Sequence, residues 1–201
     1  MKRLKKNLLL YLLLVITTSF AQKKIKLEYQ NDNLIKQIGI GLVQQVKPHE
    51  SVLFYKDREC SQIKTRDVNY GRNVIPFLYK VDYGILFFLC VERNDKYYKI
   101  AINKDDYAYI KPTVKLLFYD WEDFLKNQVT SIESKDLKAN PFFDKINGKP
   151  IYLKNYQTDD ESEVLEVHND WLKIKNNTIK RTYWLQWRKN NNFLIYLNLL
   201  M

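Results

Sequence analysis

Apolar and polar residues alternate with a period near two along much of the chain, the pattern of strands with one buried face. Residues 51–55 (Ser-Val-Leu-Phe-Tyr) read as a strand, as do residues 38–46, and residues 22–33 carry a weaker Ile25/Leu27/Tyr29 alternation. The run Ile85-Leu-Phe-Phe-Leu-Cys90-Val91 is apolar throughout and predicts a fully buried strand. Turn residues Asn94-Asp95 and Asp105-Asp106 then divide it from strands at 97–103 and 107–111. From Thr113 the period changes. Val114, Leu117, Phe118, Trp121, Phe124 and Leu125 fall at helical spacing behind Pro112, which predicts an amphipathic helix. Residues 127–140 read as a polar linker after it. A second set of strands follows: 150–154 after the tight-turn dipeptide Asn147-Gly148, then 164–167, 171–175, 183–188 and 193–197.

The start of the chain has a separate logic. Lys2, Arg3, Lys5 and Lys6 precede an apolar run from Leu8 that ends in Ser19-Phe20-Ala21. A charged head, a short apolar stretch and a small-x-small end are the marks of a secretory signal peptide over residues 1–21. Leu8–Ile16 is far shorter than the ~20 apolar residues a membrane span requires. The mature chain is therefore expected to begin near Gln22 and to work outside the cytoplasm, in the periplasm or at the cell surface, with no stable membrane insertion after cleavage.

Removing that segment changes the charge picture. The whole chain of 201 residues carries a net charge of +10, but without the four leader cations 29 basic residues face 23 acidic ones. The remaining charges are dispersed, with no basic block of the kind that tracks nucleic acid, so no nucleic-acid partner is expected. Two cysteines and two histidines leave no four-cysteine zinc site, and a mixed one would use all four residues. Cys60 and Cys90 fit either a disulfide, which an oxidising compartment permits, or two buried free thiols. No recognisable nucleophile context surrounds Cys60, His49 or His168. The acidic run Asp159-Asp-Glu-Ser-Glu163 lacks the alternating ligands and glycine of a calcium loop. Gly39-Ile-Gly41 is too short to cradle a phosphate. No cofactor is predicted.

Two stretches repeat. Glu92-Arg-Asn-Asp-Lys-Tyr-Tyr-Lys-Ile100 and Glu166-Val-His-Asn-Asp-Trp-Leu-Lys-Ile174 each give a turn, then aromatic, apolar, Lys, Ile. Each is followed by an aromatic–apolar pair, Tyr109-Ile110 and Trp184-Leu185. With Leu172, Ile174 and Leu185 inward, Trp171, Lys173 and Trp184 point outward; with Tyr98, Ile100 and Ile110 inward, Tyr97, Lys99 and Tyr109 do the same. Trp187 shares the inward face with Leu185, and Trp121 lies on the apolar stripe of the predicted helix, where it would join the two halves.

Trp171-Leu-Lys-Ile174, Tyr183-Trp-Leu-Gln-Trp-Arg188 and Phe193-Leu-Ile-Tyr196 resemble the ending of bacterial Src-homology-3-like (SH3-like) domains of exported envelope proteins, with Tyr183 standing where that family has Gly. Asn140-Pro-Phe-Phe143 onward is similar to the opening of such a domain, and residues 49–111 resemble a more diverged copy. The resemblance implies a mainly β protein of two small SH3-like barrels, one within residues 22–111 behind an N-terminal extension that the resemblance does not cover and one at residues 140–201, joined by the short helix within residues 112–139. It also implies an aromatic-lined groove and no intrinsic chemistry. The expected function is thus non-catalytic recognition of a peptide, protein or peptidoglycan-type partner through Trp171, Trp184, Tyr97, Tyr109 and Lys173. A structural subunit of an envelope assembly and a secreted hydrolase are the alternatives.

Overall fold

A computed structural model describes residues 24–66, 68–158 and 160–199. The leader lies outside the described residues, as does Asp159 of the acidic run. The fold is mainly β.

The first sheet contains β1 (Gly41–Gln45), β2 (Phe54–Tyr55), β3 (Ile63–Thr65), β4 (Leu78–Lys80), β5 (Ile85–Arg93), β6 (Tyr98–Ala101), β7 (Tyr107–Ile110) and β8 (Leu116–Asp120). Its order is β3-β2-β7-β6-β5-β1-β8, and β4 pairs the start of β5. The second sheet contains β10 (Phe142–Phe143), β11 (Pro150–Ile151), β12 (Ser162–His168), β13 (Trp171–Asn176) and β14 (Arg181–Gln186), in the order β11-β10-β14-β13-β12. Two short pairs complete the molecule: β9 (Ser131–Ser134) with β17 (Ile195–Asn198), and β15 (Arg188–Lys189) with β16 (Asn192–Phe193). Among the described residues neither sheet closes on itself.

The sequence repeat reappears as a repeat of register. The first five strands, β3-β2-β7-β6-β5, follow the same order as β11-β10-β14-β13-β12. Cys90 pairs with Ile100 and Glu92 with Lys99, with a bulge between them. Val164 pairs with Ile174 and Glu166 with Lys173, again with a bulge between. The loops leaving the outer strands also match. Asp57 accepts a hydrogen bond from Gln62 N–H at 2.7 Å, and Asp144 accepts one from Lys149 N–H at 2.9 Å. A one-residue slip would swap the two faces of a strand, so a shared bulge position is a specific likeness.

The predicted helix from Thr113 is half strand. Residues 116–120 pair with β1 over five positions, and the helix, α2, occupies only Trp121–Asn127. Val114 and Leu117, assigned to the apolar stripe, are 93% and 44% exposed. Residues 114, 117 and 118 fit the helical period, and pairing with a distant strand, invisible locally, overrides it. Asp120 caps α2 by accepting from Asp123 N–H at 2.8 Å, which fixes where the helix begins. The polar linker is structured too. Its middle forms β9, and Asn140 is buried with its amide donating to Gln186 C=O at 2.8 Å.

The first sheet is covered on both faces, which is why the run from Ile85 to Cys90 is apolar without alternation. One cover is a cluster including Val43, Phe54, Phe88, Ile100 and Leu116. The other is a larger cluster that runs continuously from Leu42, Phe77 and Phe87 through α2 to Leu172, Leu185 and Ile195 of the second half. Trp121 sits within it, 5.8 Å from Phe77, 5.2 Å from Phe193 and 5.3 Å from Trp187 by ring centroids, and its indole N–H donates to Ile38 C=O at 3.0 Å. The N-terminal segment, which includes the single-turn helix α1 (Asp32–Ile35), also ties the halves. The buried Gln30 amide donates to Ile195 C=O at 3.1 Å and accepts from Leu197 N–H at 2.9 Å, so one side chain serves β17 as a strand would. Both cysteines are free and buried, in different clusters. Gly39 enters β1 at φ +63°, where an added Cβ would stand 2.2 Å from Cys90 O, a close-approach glycine.

A candidate binding face on the second sheet

Leu172, Ile174 and Leu185 are wholly buried, while Trp171, Lys173 and Trp184 are partly exposed on the opposite side. The alternation anticipated for β13 and β14 holds at each of these positions. Cross-strand pairing then arranges the face. Lys173 lies opposite Trp184, Trp171 opposite Gln186, and His168 opposite Trp171. β10 brings in a residue missed from the sequence: Phe143 pairs with Trp184, and its ring meets Trp171 edge-on at 5.2 Å. The signal was present in Phe142-Phe143, one ring in and one out. Nothing local, however, shows that β10 lies beside β14.

Phe143, Trp171 and Trp184 thus form an aromatic surface across three strands, rimmed by polar groups. Lys173 Nζ lies 2.6 Å from Glu166 Oε1 and 5.9 Å from the centre of the Trp184 ring. Arg188 pairs with Asp170 at 2.7 Å beside the β12–β13 turn. Beneath the face the strands are pinned by Trp187, buried as anticipated, whose indole N–H donates to Asn169 C=O at 2.9 Å. Side chains that keep flat apolar area in water on a rigid sheet have already lost most of the entropy that binding would cost.

The corresponding face of the first sheet is different. Tyr109 is partly exposed, but Tyr97 is only 5% exposed and therefore does not line an open groove. It points away from the main core as anticipated, into a small satellite cluster with Tyr55 and Cys60, and its ring meets Tyr109 edge-on at 5.2 Å. The loop between β2 and β3 folds over it, held by Asp57, which accepts from Ser61 N–H and Gln62 N–H. Cys60 adopts a left-handed φ of 51° to turn inward. The Tyr97 hydroxyl donates to Glu92, which also pairs with Arg58 at 3.2 Å. The hydrogen bond from Tyr97, aided by Arg58, lowers the Glu92 pKa, and the same bond raises that of the Tyr97 phenol.

The thiols are poorly disposed to react. Burial raises the Cys60 pKa and pushes that of Cys90 up to about 12, which disfavours the nucleophilic thiolate. Among the described residues no group of three His, Cys, Asp or Glu is placed to hold a metal ion. In the acidic run, Asp160 is buried rather than solvated. It accepts from Gln157 N–H at 3.1 Å and from the Asn176 amide at 2.9 Å. Desolvation opposes its charge, but these bonds together with Thr178 hold its carboxyl below the usual range. No described helix is long and apolar enough to cross a membrane. Comparison with known proteins returned no match to a family model, a curated protein or a solved structure.

Proposed function

We propose that the chain is an exported, non-catalytic recognition protein built from two SH3-like repeats, and that it engages an extended peptide or peptidoglycan-type ligand through the outer face of its second sheet. The observation that carries this reading is the contrast at equivalent positions. Phe143, Trp171 and Trp184 keep partly exposed rings, whereas Tyr97 in the first repeat is sealed under its own loop. Flat aromatics on a sheet suit an extended ligand, and Lys173 and Glu166 offer a donor and an acceptor at the rim. The shared strand order and bulge position of the two halves support a duplication, and the leader sequence supports export.

The four indole N–H resonances provide the test. A proline-rich peptide and soluble peptidoglycan fragments are titrated separately into the labelled protein. A ligand on this face shifts the Trp171 and Trp184 signals and leaves Trp121 and Trp187, which are tied to backbone carbonyls, unmoved. A folded Trp171→Ala/Trp184→Ala variant then loses that binding. If neither probe moves the two exposed indoles, or the double variant binds as well as wild type, the assignment of this face is wrong.

A further inference from the structure

The exposed edge of the first sheet points to a partner independent of the aromatic face. Edges invite strand pairing, and natural sheets blunt them. The other edges here are managed. β3 is three residues long, β11 carries Pro150, and Gln30 occupies the backbone groups of β17. β12 has a bulge and presents Glu163 and Glu166, and its first N–H already donates to Thr130 C=O. β8 has no bulge, no proline and no side chain across its backbone; its first N–H donates to Thr113 C=O at 3.0 Å, which leaves the Phe118 groups and Leu116 C=O facing outward. Its residues Leu-Leu-Phe-Tyr-Asp pair with β1 without a register shift, and Leu117, beside the central Phe118, is 44% exposed.

The ladder fixes which backbone groups face outward. Val46 N–H donates to Lys115 C=O at 3.0 Å, so in this antiparallel pair positions 115, 117 and 119 turn toward β1. Leu116, Phe118 and Asp120 turn the other way. An antiparallel copy rotated about Phe118 meets this pattern with itself: Phe118 exchanges both hydrogen bonds with Phe118 of the second copy, and Leu116 C=O receives Asp120 N–H. Leu117 then lies beside Tyr119 of the second copy. Charge agrees with this direction. Lys111 and Lys115 precede the strand while Asp120 ends it and Glu122 and Asp123 follow, so each basic end lies against the other copy's acidic end. Present partners, Glu50 for Lys115 and Lys126 for Glu122, are surface ion pairs that exchange at little cost.

We infer that β8 pairs antiparallel with β8 of a second copy, making a two-fold dimer with one continuous sheet. The test is sedimentation of the full chain over a hundredfold concentration range, with amide exchange of residues 116–120 followed in parallel. The expected result is a monomer–dimer equilibrium in which the Phe118 amide gains protection as dimer forms. Leu117→Lys, at an exposed position, sets two like charges beside the axis and weakens association by about tenfold or more, as one to two kcal/mol of repulsion requires. Lys115→Glu weakens it less, and adding Glu122→Lys restores it. A chain that stays monomeric throughout overturns the proposal. So does association that is indifferent to Leu117→Lys and leaves Phe118 exchange unchanged, because contact elsewhere on the chain would behave that way.

Discussion

The two three-stranded meanders, β5-β6-β7 and β12-β13-β14, share strand order, bulge and facing Glu–Lys pair, yet the first buries its outer Tyr97 where the second leaves Trp171 partly exposed. The difference lies in the loops beside them. The segment between β2 and β3 is Lys56-Asp-Arg-Glu-Cys-Ser-Gln62, whose Cys60 turns inward onto Tyr97. Its counterpart, Asp144-Lys-Ile-Asn-Gly-Lys149, makes a tight turn at Asn147-Gly148 and contributes no residue to such a cluster. Of the two matching positions, Tyr97 is therefore sealed and Trp171 open, and the seal is formed by Cys60 of the loop together with Tyr55 and Ile63.

The largest expected effect tests whether the two halves are energetically separate. Trp121→Ala should cost about 3–5 kcal/mol, as for other large core truncations, and should shift one cooperative urea transition rather than divide it. Two resolved transitions would show that the continuous cluster does not couple the halves. Next, Tyr97→Ala should lose about 2–3 kcal/mol by emptying the satellite cluster, and Trp171→Ala less than half as much, because its ring is already partly in water. Equal losses by chemical denaturation would erase the distinction between sealed and open faces. Gln30→Ala should cost about 2 kcal/mol, since it strands a backbone donor and an acceptor on β17.

A pH experiment sharpens the contrast further. The Asp160 pKa is lower folded than unfolded, so its contribution is complete above the ordinary aspartate range near 4 and fades as pH falls through the depressed folded value. Asp160→Asn should flatten that part of the acid limb of the stability profile. The smallest change is expected from Tyr156→Phe. The Tyr156 hydroxyl is buried and has no hydrogen-bond partner among the described residues, so its loss should be neutral or stabilising by at most about 1 kcal/mol in thermal unfolding.

Alternation alone made much of the second half legible. Leu172, Ile174, Leu185 and Trp187 were assignable to the interior because each strand there has one wet face. In the first half the same reasoning placed Tyr97 on the far side of the sheet but gave no sign of a cover, because the cover arrives from a loop more than thirty residues away. The segment 113–120 misled for a related reason. Its apolar spacing is compatible with a helix, and only β1 at residues 41–45 makes it a strand. β9 and Phe143 escaped notice likewise, their meaning being supplied by β17 and β14 from much later in the chain.

The reach of Gln30 to β17 bears on how the molecule is made. Synthesis delivers Gln30 some 165 residues before Ile195, so during elongation its amide must wait on water until β17 emerges. A chain stalled or clipped just short of residue 195 would hold nearly every strand and still lack this clasp. The clasp is thus a late, long-range closure that depends on β17 being in place.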